Sequence, residues 1–204
     1  MKITGIRAQI KDKERVAVYI DGRYSFSLSQ DQLLRERLAA GQEIDEDRLN
    51  ELKEKSQFGK LLAHVLRFVL MRPHSVREIE QYLVRKDADA KVTQALMDYL
   101  SERGYLDDQK FAQSWVASRM RTKAVSRRRL VAELRKKGVD EVAIEMALTE
   151  EGFDEMDALK TIVAKKRHLS RYQDDKKFLT YLLRQGFSYD QVNSVLTDEF
   201  SLYD

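Results

Sequence analysis

The sequence contains no cysteine and a single proline among its 204 residues. Without cysteine, disulfide bonds and thiolate metal sites are excluded. One proline and eight glycines are too few for the many turns of an all-β protein. Long apolar runs are also missing, because Arg67 interrupts the most apolar stretch, around residues 61–71. Since that stretch is too short to span a bilayer and the first residues lack the apolar core of a secretion signal, we expect a cytoplasmic protein without a membrane partner.

Charge is what the chain has in excess. Charged residues make up 35% of the sequence, well above the usual quarter, whereas the hydrophobic content of 43% is close to that of globular proteins. This combination favours long helices with narrow apolar faces over a disordered chain. The length of 204 residues is compatible with one or two domains.

Residues 1–58 differ from the rest of the chain because they contain strand signals. The Asp21-Gly22 pair separates two apolar runs and predicts a tight hairpin turn. A polar turn at residues 11–13 precedes the hairpin. The predicted strands are rich in β-branched and aromatic residues and cover residues 3–10, 16–20 and 24–28.

Two short helices complete this N-terminal α+β module. Ser29 precedes a helix at residues 30–38, which Gly41 is expected to end, and a second helix is predicted at residues 45–55. The module contains eleven basic and eleven acidic residues. This balance argues against a polyanion site within residues 1–58.

From residue 59 onward the pattern is helical and repeats. Three leucines, each followed four residues later by a helix-ending residue, are spaced about fifty residues apart: Leu83 with Asp87, Leu134 with Gly138, and Leu182 with Gly186. A short third helix follows each helix end. A repeat of this length with three helices predicts a tandem array. We therefore predict a mostly α protein whose N-terminal module precedes three-helix repeats at residues 59–108, 109–153 and 154–204.

Capping residues support these repeat boundaries. Ser75 and Ser188 each begin a capping-box pattern, Ser126 precedes a basic helix, and Asp108 is expected to cap the helix at residues 109–120. The helix-ending glycines are expected to adopt left-handed backbone conformations.

The segment from residue 119 to residue 137 concentrates positive charge. It holds nine basic residues and one acidic residue, Glu133, a local charge of +8 in a chain of net charge +3, so the remaining residues carry −5. Such a concentration is typical of a polyanion or acidic-protein partner, the alternative being a solvated helix face. The candidate binding residues are Arg119, Arg121, Lys123, Arg127, Arg128, Arg129, Arg135, Lys136 and Lys137.

The remaining residue types indicate no catalytic site and no cofactor or metal site. The run from Lys165 to His168 is a weaker binding candidate, because positive charge is favoured at a helix end in any case. A helix start accounts for the paired carboxylates Asp107 and Asp108. The three histidines have no acidic partner at ligand spacing, and aromatic residues such as Trp115 are expected in the core. We predict a protein that is not an enzyme.

Three motifs together resemble the RecX family. They are Arg72-Pro73-His74-Ser75-Val76-Arg77-Glu78-Ile79, then Gly104-Tyr105-Leu106-Asp107-Asp108 with Phe111-Ala112, then Glu133-Leu134-Arg135-Lys136-Lys137-Gly138-Val139. The resemblance covers roughly residues 59–200, and the N-terminal module is similar to the extension of longer members. Asp87 and the loop at residues 123–126 depart from the family by lacking a glycine.

The resemblance implies a regulator of the RecA recombinase in DNA repair, recombination and the SOS response. Proteins of this kind bind the groove of the RecA–DNA filament and mainly inhibit its ATPase, strand exchange and SOS co-protease activities. The nine basic residues are then expected to contact RecA or DNA, with the protein acting as a monomer. Two alternatives remain open: a stand-alone helix-turn-helix DNA-binding protein, with residues 127–129 at the start of a recognition helix, and a purely structural scaffold.

Overall fold

The structure is a computed structural model that describes residues 1–10 and 12–201. Three strands and ten α-helices follow one another in the described ranges. The chain divides into two compact units: Met1–Arg72 with Ile79–Tyr105, and Pro73–Glu78 with the residues from Leu106 onward. The predicted fold class, mostly α with a small N-terminal β element, is confirmed.

The three N-terminal strands form an antiparallel sheet in which their order is the same as in the chain. At the turn between the last two, Asp21 and Gly22 have φ angles of 45° and 79°, as a two-residue hairpin of the predicted type requires. Lys11, in the predicted turn at residues 11–13, lies outside the described residues. The strands are β1 (Ile3–Ala8), β2 (Arg15–Ile20) and β3 (Arg23–Ser29).

The two helices of the N-terminal module differ from the prediction at their ends. Helix α1 (Gln30–Glu36) ends at Arg37, which takes the left-handed conformation with φ 50°, so Gly41 is not its terminator. Helix α2 (Glu46–Met71) was expected to end at residue 55 but is 26 residues long and ends at Met71. The predicted module boundary after residue 58 therefore falls inside a continuous helix.

A close side-chain approach accounts for the glycine inside α2. A Cβ atom at Gly59 would lie 2.7 Å from Nε2 of Gln32, which donates to the carbonyl of Lys55. The glycine is therefore a packing position and not a helix end. Helix α2 ends at Met71 because Arg72, which precedes Pro73, is extended.

Eight further helices follow α2, first a pair and then two groups of three. Each group of three has its own core, one around Phe111 and Leu134 and the other around Phe178 and Leu182. The helices are α3 (Val76–Val84), α4 (Ala90–Glu102), α5 (Asp108–Thr122), α6 (Arg127–Lys136), α7 (Glu141–Glu150), α8 (Glu155–Lys166), α9 (Asp175–Arg184) and α10 (Tyr189–Ser201).

Most predicted caps are present, and one is displaced by a residue. Ser75, Ser126 and Ser188 accept hydrogen bonds from the backbone three residues on. Asp107, not Asp108, caps α5 by accepting from the Lys110 N–H at 2.9 Å, and this bond lowers the pKa of the Asp107 carboxyl. Asp108 instead accepts from the backbone N–H of Val76 at 2.9 Å.

A hydrogen bond from a serine hydroxyl to the carbonyl group of the residue before a glycine occurs twice in the second unit. Ser75 Oγ donates to the carbonyl of Lys137 at 2.7 Å, and Ser126 Oγ donates to the carbonyl of Gln185 at the same distance. The next residue in each case is a left-handed glycine, Gly138 with φ 87° or Gly186 with φ 100°. We call these the first and second junctions. Through them, the start of one helix is hydrogen-bonded to the end of the corresponding helix in the next repeat.

No helix within residues 1–10 and 12–201 combines the length and apolar character needed to cross a membrane.

Candidate nucleic-acid or acidic-protein interface

The nine candidate basic residues lie on the end of α5, the following loop, α6 and the residue after it. Helix α6 forms here because Ser126 caps its start and the apolar face formed by Leu130, Val131 and Leu134 is buried. The arginines and the lysine of α6 occupy its solvent-exposed face. The local structure therefore presents the predicted residues on two consecutive helices and the loop between them.

Five of the nine basic residues are paired with carboxylates. Glu133, the acidic residue within the segment, accepts from Arg119 Nε at 2.7 Å and lies 3.6 Å from Arg129 Nε. The other three carboxylates come from residues outside the segment. The pairs are Arg127 with Glu145, Arg135 with Glu141, and Lys137 with Glu78.

Trp115 contacts three members of this network. Its indole Nε1 donates to Glu133 at 3.1 Å, and the Arg119 guanidinium lies 4.5 Å from the ring centroid. Lys137 Nζ is 5.1 Å from the same ring. Cation–π contacts and ion pairs thus engage Arg119 and Lys137 with their own protein. These two residues serve local structure more than they present free charge.

Four of the nine form no ion pair with any residue of the described chain. They are exposed, and their charges are available to a partner. The four are Arg121, Lys123, Arg128 and Lys136.

The carboxylate pairing was not visible in the sequence. A count within residues 119–137 finds one acid, but Glu78, Glu141 and Glu145 come to the segment from outside it. Glu155 also accepts from the backbone N–H of Arg127 at 2.8 Å. Arg135 is on α6 and Glu141 begins α7, so the helical periodicity that predicts ion pairs within one helix does not relate these two residues. The charge excess is therefore smaller than the sequence suggests.

A second group of cations surrounds a cleft beside α6. Lys123 and Arg129 line it together with Lys165 and Lys166 of α8, and Tyr181 of α9 forms part of its wall. The structure thus brings part of the weaker sequence candidate, the run from Lys165 to His168, together with two of the nine predicted residues. Burial raises the pKa of the Tyr181 phenol.

His74 departs from the expectation that the histidines lack an acidic partner. Its Nδ1 lies 3.0 Å from Glu78 Oε2, one helical turn away, and the imidazole is almost completely buried. The same carboxylate group pairs with Lys137. His74 therefore belongs to the packing of the first junction.

Comparisons with known proteins agree with this architecture. A family profile described as "RecX, second three-helix domain" matches residues 107–148, and one described as "Regulatory protein RecX N-terminal domain" matches residues 1–45. Regulatory protein RecX of Bacillus subtilis (strain 168) is 30% identical over 199 residues, which is 95% of this chain and 75% of the relative. Regulatory protein RecX of Clostridium tetani is 29% identical, covering 96% of this chain and 93% of the relative.

Solved structures show the same fold. A crystal structure of regulatory protein RecX superposes with a TM-score of 0.69 at 25% identity, covering 96% of this chain and 98% of the other. RecX from Lactobacillus salivarius, at 23% identity and a TM-score of 0.58 over 70% of this chain, supports the fold alone.

Helical repeats carrying a partly neutralised basic segment, together with these relatives, define a regulatory protein. The chain belongs to the RecX family.

Proposed function

We propose that this protein binds the filament that RecA forms on DNA and lowers its ATPase, strand-exchange and SOS co-protease activities, without catalysis of its own. Membership of a family of regulatory proteins supports a regulatory role. The observation that carries the binding site is the set of unpaired, exposed cations on the second repeat. This set is Arg121, Lys123, Arg128 and Lys136.

Unpaired and paired cations differ in the free energy that each gains from binding an anionic partner. An exposed lysine or arginine without an ion pair gains attraction from an approaching phosphate or carboxylate without first losing a partner. Arg127 and Arg135 each have to exchange an existing glutamate for a new anion, so their net gain is small. The unpaired cations therefore contribute most of the binding free energy of the segment.

Direct, RecA-independent DNA binding is the second candidate function. Arg128 is unpaired at the start of α6, the middle helix of a three-helix repeat, where a recognition helix has its base-contacting residues. However, Arg127 and Arg129 beside it are held by Glu145 and by Glu133 with Gln185. With Arg128 as the free side chain of the three, sequence reading by α6 is less favoured than filament binding.

Measuring RecA ATPase on single-stranded DNA while adding this protein tests the proposal. We expect dose-dependent inhibition by the natural protein. The triple variant Arg121→Gln, Arg128→Gln, Lys136→Gln should require roughly tenfold more protein, because three exposed contacts of about 0.5 kcal/mol each are lost. Lys53→Gln, Lys60→Gln, Lys160→Gln is the control, since it removes the same charge from exposed positions outside the segment.

Two results decide between the candidates. An ATPase that is unchanged at saturating protein contradicts the proposed function. Tight binding to free duplex DNA with the same affinity in the presence and absence of RecA favours the second candidate instead.

A further inference from the structure

The cleft between the loop before α6 and the ends of α8 and α9 is lined by positively charged side chains. Four cationic residues border it, and none of its lining residues carries a carboxylate. Lys123 and Lys165 are exposed and form no ion pair within the described chain. Its volume is about 410 Å³, within the usual size range of ligand sites. We call this the Tyr181 cleft, defined by Lys123, Arg129, Lys165, Lys166 and Tyr181.

The position of each cation has a separate structural cause. Lys165 and Lys166 occupy the last turn of α8, where the helix dipole favours positive charge. That explanation does not extend to Lys123, which follows α5, or to Arg129 on α6. Arg129 is directed by its hydrogen bond from Nη1 to Gln185 Oε1, and Gln185 also lines the cleft. Cations from two helices, α6 and α8, and from the loop before α6 therefore converge on one concave surface.

Apolar and aromatic side chains lie between these cations. Val125 and Ile162 are buried side chains that line the cleft, and the Tyr181 ring lies beside them. Lys166 Nζ is 5.7 Å from the Tyr181 ring centroid, and the Tyr172 ring is 4.8 Å from it. A cationic border around an apolar, partly aromatic surface matches a ligand that has both anionic groups and flat apolar faces.

A second depression adjoins the Tyr181 cleft and shares Tyr181 and Gln185 with it. Its one acidic residue, Asp174, accepts from the backbone N–H of Lys177 at the start of α9, and this bond lowers the pKa of its carboxyl. Four more cations border this depression, so positive charge continues past Tyr181. They are Arg171, Lys176, Lys177 and Arg184.

We propose that the Tyr181 cleft binds single-stranded DNA, with phosphodiester groups on the cations and nucleobases against the apolar surface. This inference deepens the proposed function, since it assigns the DNA contact of the protein to a site that joins the second and third repeats. Lys123 and Lys165, which form no ion pair within the described residues, are placed to contact phosphates, and the continuation of positive charge past Tyr181 gives the strand a direction in which to leave the cleft.

Single-stranded DNA fits this cleft better than a duplex or an acidic protein. Base faces are stacked inside a duplex, so the apolar surface around Val125, Ile162 and Tyr181 has nothing to contact there. An acidic protein surface supplies carboxylates but few flat apolar faces. An unpaired strand has phosphates that bind the cations and exposed base faces that contact the apolar side chains.

Fluorescence anisotropy with labelled oligothymidylate tests this assignment, using strands of about 16 nucleotides, the upper end of single-site sizes. Binding is measured across a salt series for the natural chain and for Lys123→Gln, Lys165→Gln. Each lost phosphate contact lowers the slope of log K against log salt by about 0.7. We therefore expect a fall of about 1.4 for the double variant and none for the control Lys60→Gln, Lys160→Gln.

A photocrosslink locates the strand independently of affinity. Oligothymidylate carrying 5-iodouracil, irradiated in the complex, should attach to the peptide that contains Tyr181. Tyr181→Phe keeps the ring and its packing and should retain the crosslink, which guards against loss of signal through misfolding. Attachment confined to α1 to α4, or a slope equal to that of the natural chain in the double variant, overturns the proposal.

The same variants separate this site from the RecA proposal. If the double variant keeps the natural DNA slope but loses its effect on RecA ATPase, the cleft contacts protein and the single-strand assignment is wrong. If the natural chain binds the oligonucleotide through the cleft but leaves RecA ATPase unchanged, the cleft assignment holds and the proposed function fails.

Discussion

The first and second junctions have the same construction but different surroundings. At the first, Ser75 binds the carbonyl of Lys137, and Arg77 lies against Gly138. At the second, Ser126 binds the carbonyl of Gln185 and is itself the side chain against Gly186. The serines are 51 residues apart and the acceptors 48, so the contact recurs with the sequence repeat.

The two junctions differ in what the side chain of the acceptor residue contacts. Lys137 turns its side chain toward Glu78 and Trp115, inside the packed network around the second repeat. Gln185 turns its side chain toward Arg129 at the border of the Tyr181 cleft. One repeated contact can therefore act in stability alone or also in shaping a binding surface, depending on the residue that precedes the glycine.

Replacing the junction glycines should have the largest effect on stability. Alanine at either position forces a non-glycine residue into the left-handed region, at about 1 kcal/mol. A Cβ at Gly138 would lie 2.9 Å from Arg77 Cβ, and one at Gly186 would lie 2.5 Å from Ser126 Oγ. Adding a crowding cost of about 1–3 kcal/mol, we expect each variant to lose about 2–4 kcal/mol of unfolding free energy in urea titrations followed by circular dichroism.

Gly104→Ala is the matched control for these variants. Gly104 also has a positive φ, 69°, but a Cβ there meets no atom within 4 Å, so we expect a loss of only about 1 kcal/mol. The two junctions should differ in function: Gly186→Ala should weaken oligothymidylate binding under conditions where it is folded, and Gly138→Ala should not. Equal losses in all three variants would show that backbone conformation, not junction packing, sets the cost.

Removing the junction serines should have a smaller effect. Ser75→Ala and Ser126→Ala each remove a helix cap and leave the acceptor carbonyl of the next repeat without its hydroxyl donor. We expect a loss of about 1–3 kcal/mol for each, measured by the same titrations. Ser188→Ala removes a cap at an exposed site and should cost about 1 kcal/mol or less. A junction variant no worse than Ser188→Ala would mean that the inter-repeat bond adds nothing.

Helix ends were visible in the sequence because their signals are local. Gly138 and Gly186 adopt positive φ angles, as expected, and Asp87 does so as well. The Asp21-Gly22 hairpin was recognisable for the same reason, since two residues define the turn. The continuation of α2 past residue 55 was not predicted, and the role of Gly59 within it depends on Gln32, which approaches α2 from a distant part of the chain.

The candidate site was less predictable because it depends on contacts between distant residues. The concentration of bases in residues 119–137 was visible, but Glu78, Glu141 and Glu145, which neutralise three of them, lie outside it. The gathering of Lys123 and Lys165 around one cleft is likewise a result of packing α8 beside the loop before α6. Charge counts along a sequence identify a basic segment but not which of its charges are free.

The smallest expected effects come from the ion pairs near the two ends of α6. Arg127, next to the second junction, pairs with Glu145, and Arg135, near the first, pairs with Glu141. All four side chains are about half exposed or more, so Glu145→Gln and Glu141→Gln should each change the unfolding free energy by about 0.5 kcal/mol or less.

Each of these substitutions also releases one cation, which makes them a test of charge separate from stability. If released arginines reach the partner, either variant should inhibit RecA ATPase at about half the protein concentration, a gain of about 0.4 kcal/mol. Because the pairs lie on the surface and outside the serine–glycine contacts, the two should behave alike. A loss of stability above about 1 kcal/mol in Glu145→Gln but not in Glu141→Gln would show that the ion pair is part of the second junction, and the two junctions would then differ in construction as well as in surroundings.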